Sequence, residues 1–228
     1  YTLGDPESVA PRSVFGERLR LEPGLQRLIS PFDPRRPENL HFEGFFRWGR
    51  SMLEPAFNID HGVGNEFPYG ALLPSRQVEF HRMGSADLAR TGCFGVQWVT
   101  VPRVAANASK VGLTPPFDVV ATDPELPAHL VRMPHRPRAY LAEGLSSVDR
   151  QRALEFVLQA DPGTTSRSVV EGPVPDGYVP PVGSAGIVAD SPERVAIETR
   201  SNSRALLVLN DLFAPGWSAR VDGRAAAI

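Results

Sequence analysis

Proline and glycine break this chain more often than any other feature. It holds 23 Pro and 20 Gly in 228 residues, close to a fifth of all positions against a usual share of about 12%. Pro supplies no backbone N–H and fixes φ, while Gly gives up the most conformational freedom on folding. Regular elements must therefore be short and the connections long. The constraint is sharpest over residues 31–74, where Phe32, Phe42, Phe45, Phe46, Trp48, Phe57, Phe67 and Tyr69 are interleaved with Pro and Gly and no period holds. Wherever such backbone is buried, side chains or water must satisfy its polar groups.

Periodic stretches lie on either side. "RLRLE" (18–22) alternates as a strand does, and "LQRLIS" (25–30) reads as a second strand or a short helix. Ser85 is placed to cap a short helix running to about Arg90, after which "VQWVTV" (96–101) reads as a buried strand, with further strands at "FDVVA" (117–121) and "HLVRM" (129–133). The clearest helix spans 147–160. Ser146 or Ser147 can cap it, Asp149 sits in its first turn, and Ala153, Leu154, Val157 and Leu158 share one face. Asp161-Pro162-Gly163 ends it, and "SRSVVEG" (166–172) follows as a strand.

Residues 171–186 carry eight Pro or Gly in 16 positions and read as a linker or long loop. Beyond them "GIVAD" (186–190), "ERVAIETR" (193–200), "ALLVLND" (205–211) and "WSARVD" (217–222) keep a period of two, which predicts an antiparallel meander. Asp222-Gly223 predicts a tight hairpin turn, with residues 224–228 starting the return strand and Trp217 packed under the meander. The expected fold class is α+β. A mixed α/β part over 1–170, with long loops, precedes the linker, and 187–228 form part of an antiparallel β-sandwich or jelly-roll-like sheet.

Composition excludes several function classes. The 24 basic and 26 acidic residues nearly cancel, so there is no electrostatic footprint for a nucleic acid or an anionic membrane surface. Cys93 stands alone, which rules out an internal disulfide and a cysteine cluster for a metal. No apolar run approaches the roughly 20 residues needed to cross a bilayer. A start at Tyr1 and a stop just past a hairpin turn lead us to expect an excerpt of a longer protein.

The familiar site templates find little to match. "GVGNEF" (62–67) lacks the third Gly of a dinucleotide loop, no G-x-S-x-G elbow is present, and a phosphate loop has no Lys to use except Lys110. His41, His61, His81, His129 and His135 show no i, i+2 or i+4 pairing of local metal ligands. Asp60-His61 reads as a loop histidine satisfied by backbone, and Asp123 with Glu125 as a solvated loop rather than an acid/base pair. The dense aromatics read first as core and second as a stacking platform for a glycan or lipid.

Four stretches in order resemble one family, the extracytoplasmic part of YfhO-like bacterial multi-spanning membrane proteins, which are related to polyprenyl-phosphate-sugar-dependent membrane glycosyltransferases. They are "LEPAFNIDHGVGNEFPYGALLPSR" (53–76), "LARTGCFGVQWVTVP" (88–102), "RPRAYLAEGLSSVDRQRALEFVLQADP" (136–162) and "ALLVLNDLFAPGWSARVDGRAAAI" (205–228). Each motif alone is common; their order is the specific signal. Trp98 stands where the family usually has Tyr. The resemblance implies an extracytoplasmic accessory domain, itself non-catalytic, that supports cell-envelope glycan transfer and is anchored in the bacterial cell membrane by flanking helices. No catalytic residue is carried over, because the family's catalytic carboxylate lies in an early loop outside this chain.

The expected partners are an envelope glycan or a polyprenyl-linked sugar, with no cofactor, no metal and no nucleic acid. Ligand contact is assigned to Trp48, Asn58, His61, Tyr69 and Arg76. The alternatives are a secreted carbohydrate-binding protein or carbohydrate-active enzyme, and a purely structural assembly domain.

Overall fold

The computed structural model describes residues 13–24, 26–30, 64–65, 88–102, 113, 118–124, 128–162, 167–191, 193–211 and 216–228. It is rich in short strands, poor in helix, and divided among several small sheets. The largest has five strands: β1 (Arg27–Ile29), β2 (Gly64–Asn65), β3 (Trp98–Pro102), β4 (Asp118–Thr122) and β5 (Ala128–Arg132), in the order β2-β1-β3-β5-β4. β1 runs parallel to both its neighbours, whereas β3, β5 and β4 are antiparallel.

Apolar residues cover both faces of this sheet, which is why the run at 96–101 lacks a clean alternation. One face packs Leu28, Trp98, Ala128 and Leu130 against Phe15 and Leu19 of helix α1 (Val14–Leu19). The other gathers Val99, Val101, Val131 and Met133 with Leu88, Val96 and Leu113. Two polar groups inside are matched: the indole N–H of Trp98 donates to Gln26 Oε1 at 2.8 Å, and buried Thr100 donates to Ser30 Oγ at 3.0 Å. Matched groups avoid the desolvation cost of a buried orphan.

The N-terminal alternation is not a strand. Arg18 and Leu19 complete α1, and Leu21 is left 79% exposed. Ser13 Oγ accepts from the Gly16 N–H at the helix start, and Phe15 with Leu19, four apart, form the buried stripe. Five alternating residues fit either period, and packing chose the helix. The short helix expected from Ser85 appears, within the described residues, as a 3-10 turn, Leu88–Phe94. Its Gly92 passes so close to the chain beyond β5 that an added Cβ would sit 2.2 Å from the Pro134 carbonyl oxygen.

The expected main helix is α2 (Arg150–Gln159), ending at Ala160 before Pro162. Its cap is Asp149, whose carboxylate accepts from the Arg152 N–H at 2.8 Å, and neither Ser146 nor Ser147. Those serines lie in β7 (Gly144–Val148), a strand with little apolar signal that pairs in parallel with β8 (Arg167–Glu171) across α2. A parallel pair needs a crossover of about a dozen residues or more, and α2 supplies it.

The meander expected after the linker does not form. β9 (Gly183–Ser191) and β10 (Arg194–Ser201) make an antiparallel hairpin, β11 (Leu207–Leu209) pairs with β6 (Ala139–Leu141), and β12 (Ala219–Val221) pairs with β13 (Arg224–Ala226). β11 is drawn off because Leu207 faces Leu141 and Leu209 faces Ala139. The last hairpin turns as expected at Asp222 (φ 49°) and Gly223 (φ 80°), the positive pair that a two-residue turn of this twist requires. Trp217, expected beneath the strands, is 41% exposed. The Pro/Gly stretch is tied down: the Tyr178 hydroxyl donates to the Ala142 carbonyl, and Val182 and Asn202 exchange two bonds.

Gly92→Ala should lower the urea midpoint at unchanged m-value, corresponding to about 2 kcal/mol, because the clash is with backbone. Gly186→Ala, where an added Cβ meets nothing within 4 Å, should stay within about 0.5 kcal/mol of the parent.

Candidate functional site

A cavity of about 1330 Å³ opens between α2 and β8 on one side and the strands of the C-terminal hairpins on the other. Phe156 and Val157 of α2, Val170 of β8, Val195 and Ile197 of β10, and Trp217 supply apolar walls. α2 has an apolar face yet no fully buried residue. Its side chains border open space instead of being sealed by a second layer.

One polar part of the lining is built around Arg136, on the connector between β5 and β6. Its backbone N–H donates to the Gly92 carbonyl at 2.9 Å, so the close passage at Gly92 sets its position. The side chain is 9% exposed; Nη1 donates to the Tyr140 hydroxyl at 2.9 Å and Nη2 to the Arg167 carbonyl at 2.6 Å. The guanidinium lies 5.5 Å from the Tyr140 ring centre, within cation–π range. Ser168, next on β8, is 8% exposed, and its buried hydroxyl has no hydrogen-bond partner among the described residues.

Cys93 also lines the cavity. Burial pushes its thiol above the ordinary value, Arg136 and Arg90 pull it partly back, and Asp161 adds to the rise. A thiol so shifted stays protonated at neutral pH, which is the wrong state for a nucleophile.

An ion-pair chain borders the same cavity. Arg27 of β1 donates to the carbonyls of Phe94 and Asn210 and to the Asp211 carboxylate. Arg138 grips Asp211 with Nε at 2.9 Å and Nη2 at 2.7 Å and also bonds Asp190 of β9. Asn210 clasps the same connector, its N–H bonding the Arg138 carbonyl at 2.8 Å and its amide the Pro137 carbonyl at 3.0 Å. Burial would raise the Asp211 carboxyl, but the Arg138 bonds and the Arg27 charge outweigh it and hold it below the usual carboxylate value.

The residues assigned to ligand contact from sequence, Trp48, Asn58, His61, Tyr69 and Arg76, lie outside the described residues, as do His41, His81 and Glu125. Of the other candidates, His129 meets the Thr122 hydroxyl at 2.9 Å within the β4–β5 pair and His135 meets the Met133 carbonyl at 3.1 Å. Asp123, expected in solvent, is 4% exposed, its N–H closing the turn onto Ala128. Gly64 and Asn65, from the glycine-rich "GVGNEF", are strand β2 and not a phosphate loop. Among the described residues no group of three or more His, Cys, Asp or Glu is placed to hold a metal ion, and no helix is long and apolar enough to cross a membrane.

Arg136, Tyr140 and Ser168 carry no motif. "HRPRAYL" offers only that Arg136 precedes a Pro and is held extended; nothing in it points to β8. No family model, no curated protein and no solved structure matches the chain.

Asp211→Asn should cost about 3 kcal/mol, because it leaves two guanidinium groups facing a neutral amide; chemical denaturation measures it. The depressed carboxyl also sets a pH dependence. Its contribution is complete above the ordinary value of 3.8 and is lost as pH falls through the lower native value. The parent should therefore lose stability more steeply than D211N on acidification below about pH 4.

Proposed function

We propose that this chain is an extracytoplasmic, non-catalytic binding module of a polytopic bacterial membrane protein that supports cell-envelope glycan transfer. In this reading a mixed α/β part built on β1–β5 is followed by an antiparallel β-sandwich part built from the C-terminal hairpins. Its ligand is an envelope glycan or a polyprenyl-linked sugar. The ordered motif series at 53–76, 88–102, 136–162 and 205–228 motivates the membrane and glycan assignment.

The observation that carries the binding role is the large cavity, whose walls mix apolar side chains with polar and charged ones. Its volume exceeds the roughly 300–1,000 Å³ of ordinary small-molecule pockets. A general acid for glycoside chemistry needs a carboxyl with a raised pKa, whereas Asp211 is depressed and held by Arg138 and Arg27.

Saturation-transfer NMR with the 228-residue chain should give transfer to sugar protons of envelope polysaccharide or of a polyprenyl-linked sugar. Absence of transfer to both classes at millimolar ligand overturns the binding role. Hydrolysis or transfer of either sugar by the chain alone overturns the non-catalytic one.

A further inference from the structure

Trp217 lines the cavity yet is 41% exposed, although an indole is among the side chains that gain most from burial. It lies two residues before β12, whose first residue, Ala219, pairs with Ala226 of β13. The next side chains along this hairpin are therefore two methyl groups, too small to cover an indole ring. On β10, Val195, Ile197 and Thr199 alternate along one face of the strand and line the same cavity, and Thr199 is exposed.

The charges of the lining balance. Among the described residues it holds Arg136, Arg204 and Arg220 with Glu198, Asp211 and Asp222, three of each sign. A cavity so lined has no excess charge to recruit an ion, and its charged groups interrupt the continuous apolar wall that a lipid tail needs. The ligand that suits it is neutral and carries apolar surface and hydroxyls close together. A sugar ring has both, and the volume of about 1330 Å³ leaves room for more than one ring.

We propose that the cavity takes a neutral oligosaccharide of gluco-configured units, one ring of which stacks on Trp217. The inference rests on the binding role proposed above and narrows it, since the sugar is recognised and neither an isoprenoid tail nor an acidic glycan is. Equatorial substituents leave the axial C–H groups on the ring faces, where they meet the electron-rich face of the indole. The hydroxyl rim is left to donors and acceptors of the lining such as Thr199 and Arg204.

Isothermal titration of the 228-residue chain with cellohexaose, hexagalacturonate and geraniol tests it. Cellohexaose should bind one-to-one, and the acidic hexamer and the isoprenoid alcohol at least about tenfold more weakly, since each lacks part of what the lining matches. Trp217→Ala should weaken cellohexaose at least about tenfold. Trp217→Phe, which keeps a ring, should stay within about threefold of the parent, whereas Trp217→Leu, which keeps only apolar bulk, should lose about tenfold. The contrast between Phe and Leu decides the matter if the Ala variant fails to fold.

No cellohexaose binding at millimolar concentration, equal or tighter binding of hexagalacturonate or geraniol, or equal affinities in the Phe and Leu variants overturns the proposal. Saturation transfer to envelope polysaccharide that persists in Trp217→Ala removes this inference and leaves the proposed function standing. Cellohexaose binding at Trp217 without transfer to envelope polysaccharide or polyprenyl-linked sugar does the reverse.

Discussion

Asp211 between Arg27 and Arg138 is the interaction on which the described structure depends. Arg27 belongs to the five-stranded sheet, Arg138 to the connector leading into β6, and Asp211 lies just past β11. Arg138 reaches on to Asp190 of the β9–β10 hairpin. The chain of ion pairs through this carboxylate therefore joins three separate sheets. Each guanidinium contributes several donors in a fixed plane, so two arginines satisfy one carboxylate at several points where two lysines would act as point charges. Removing the carboxylate would not merely delete an attraction. It would leave two cations pressed together in a place that water reaches poorly.

The same logic answers the Pro and Gly content. A chain of short elements cannot satisfy its backbone by ladders alone, so side chains reach across long sequence distances to do it. Arg27 binds the Phe94 and Asn210 carbonyls, Arg90 the Ala160 carbonyl, Arg136 the Arg167 carbonyl and Asn210 the Pro137 carbonyl. The last two of these bonds meet on residues 133–138, an extended Pro-rich connector that by itself pairs with no strand. Gly92 permits that convergence, since any side chain there would meet the Pro134 carbonyl. The cavity is a by-product of this construction. Short strands held at their ends leave space between them.

Local chemistry made much of the fold legible. The helix through Leu154, the strands at Trp98, Asp118, Ala128 and Arg167, and the Asp222-Gly223 turn all follow from periodicity and turn residues within a few positions of one another. Errors arose where a short pattern fits two structures, as at Arg18–Glu22, or where a strand has no pattern, as in "GLSSV". The candidate site was not legible. Arg136, Tyr140 and Ser168 stand far apart along the chain and have no spacing that any chemistry requires, and the residues singled out for ligand contact lie outside the described region.

By itself the sequence determined that the elements would be short and where most of them would begin and end. Those are local matters, decided by φ/ψ limits, caps and hydrophobic period. Only the tertiary structure decided that β11 leaves its neighbours for β6, that β7 is a strand at all, and that Arg136 faces Ser168's strand across the end of a cavity. Pairing between distant strands depends on which apolar faces and which charges meet once the chain has closed. No window of a dozen residues contains that information.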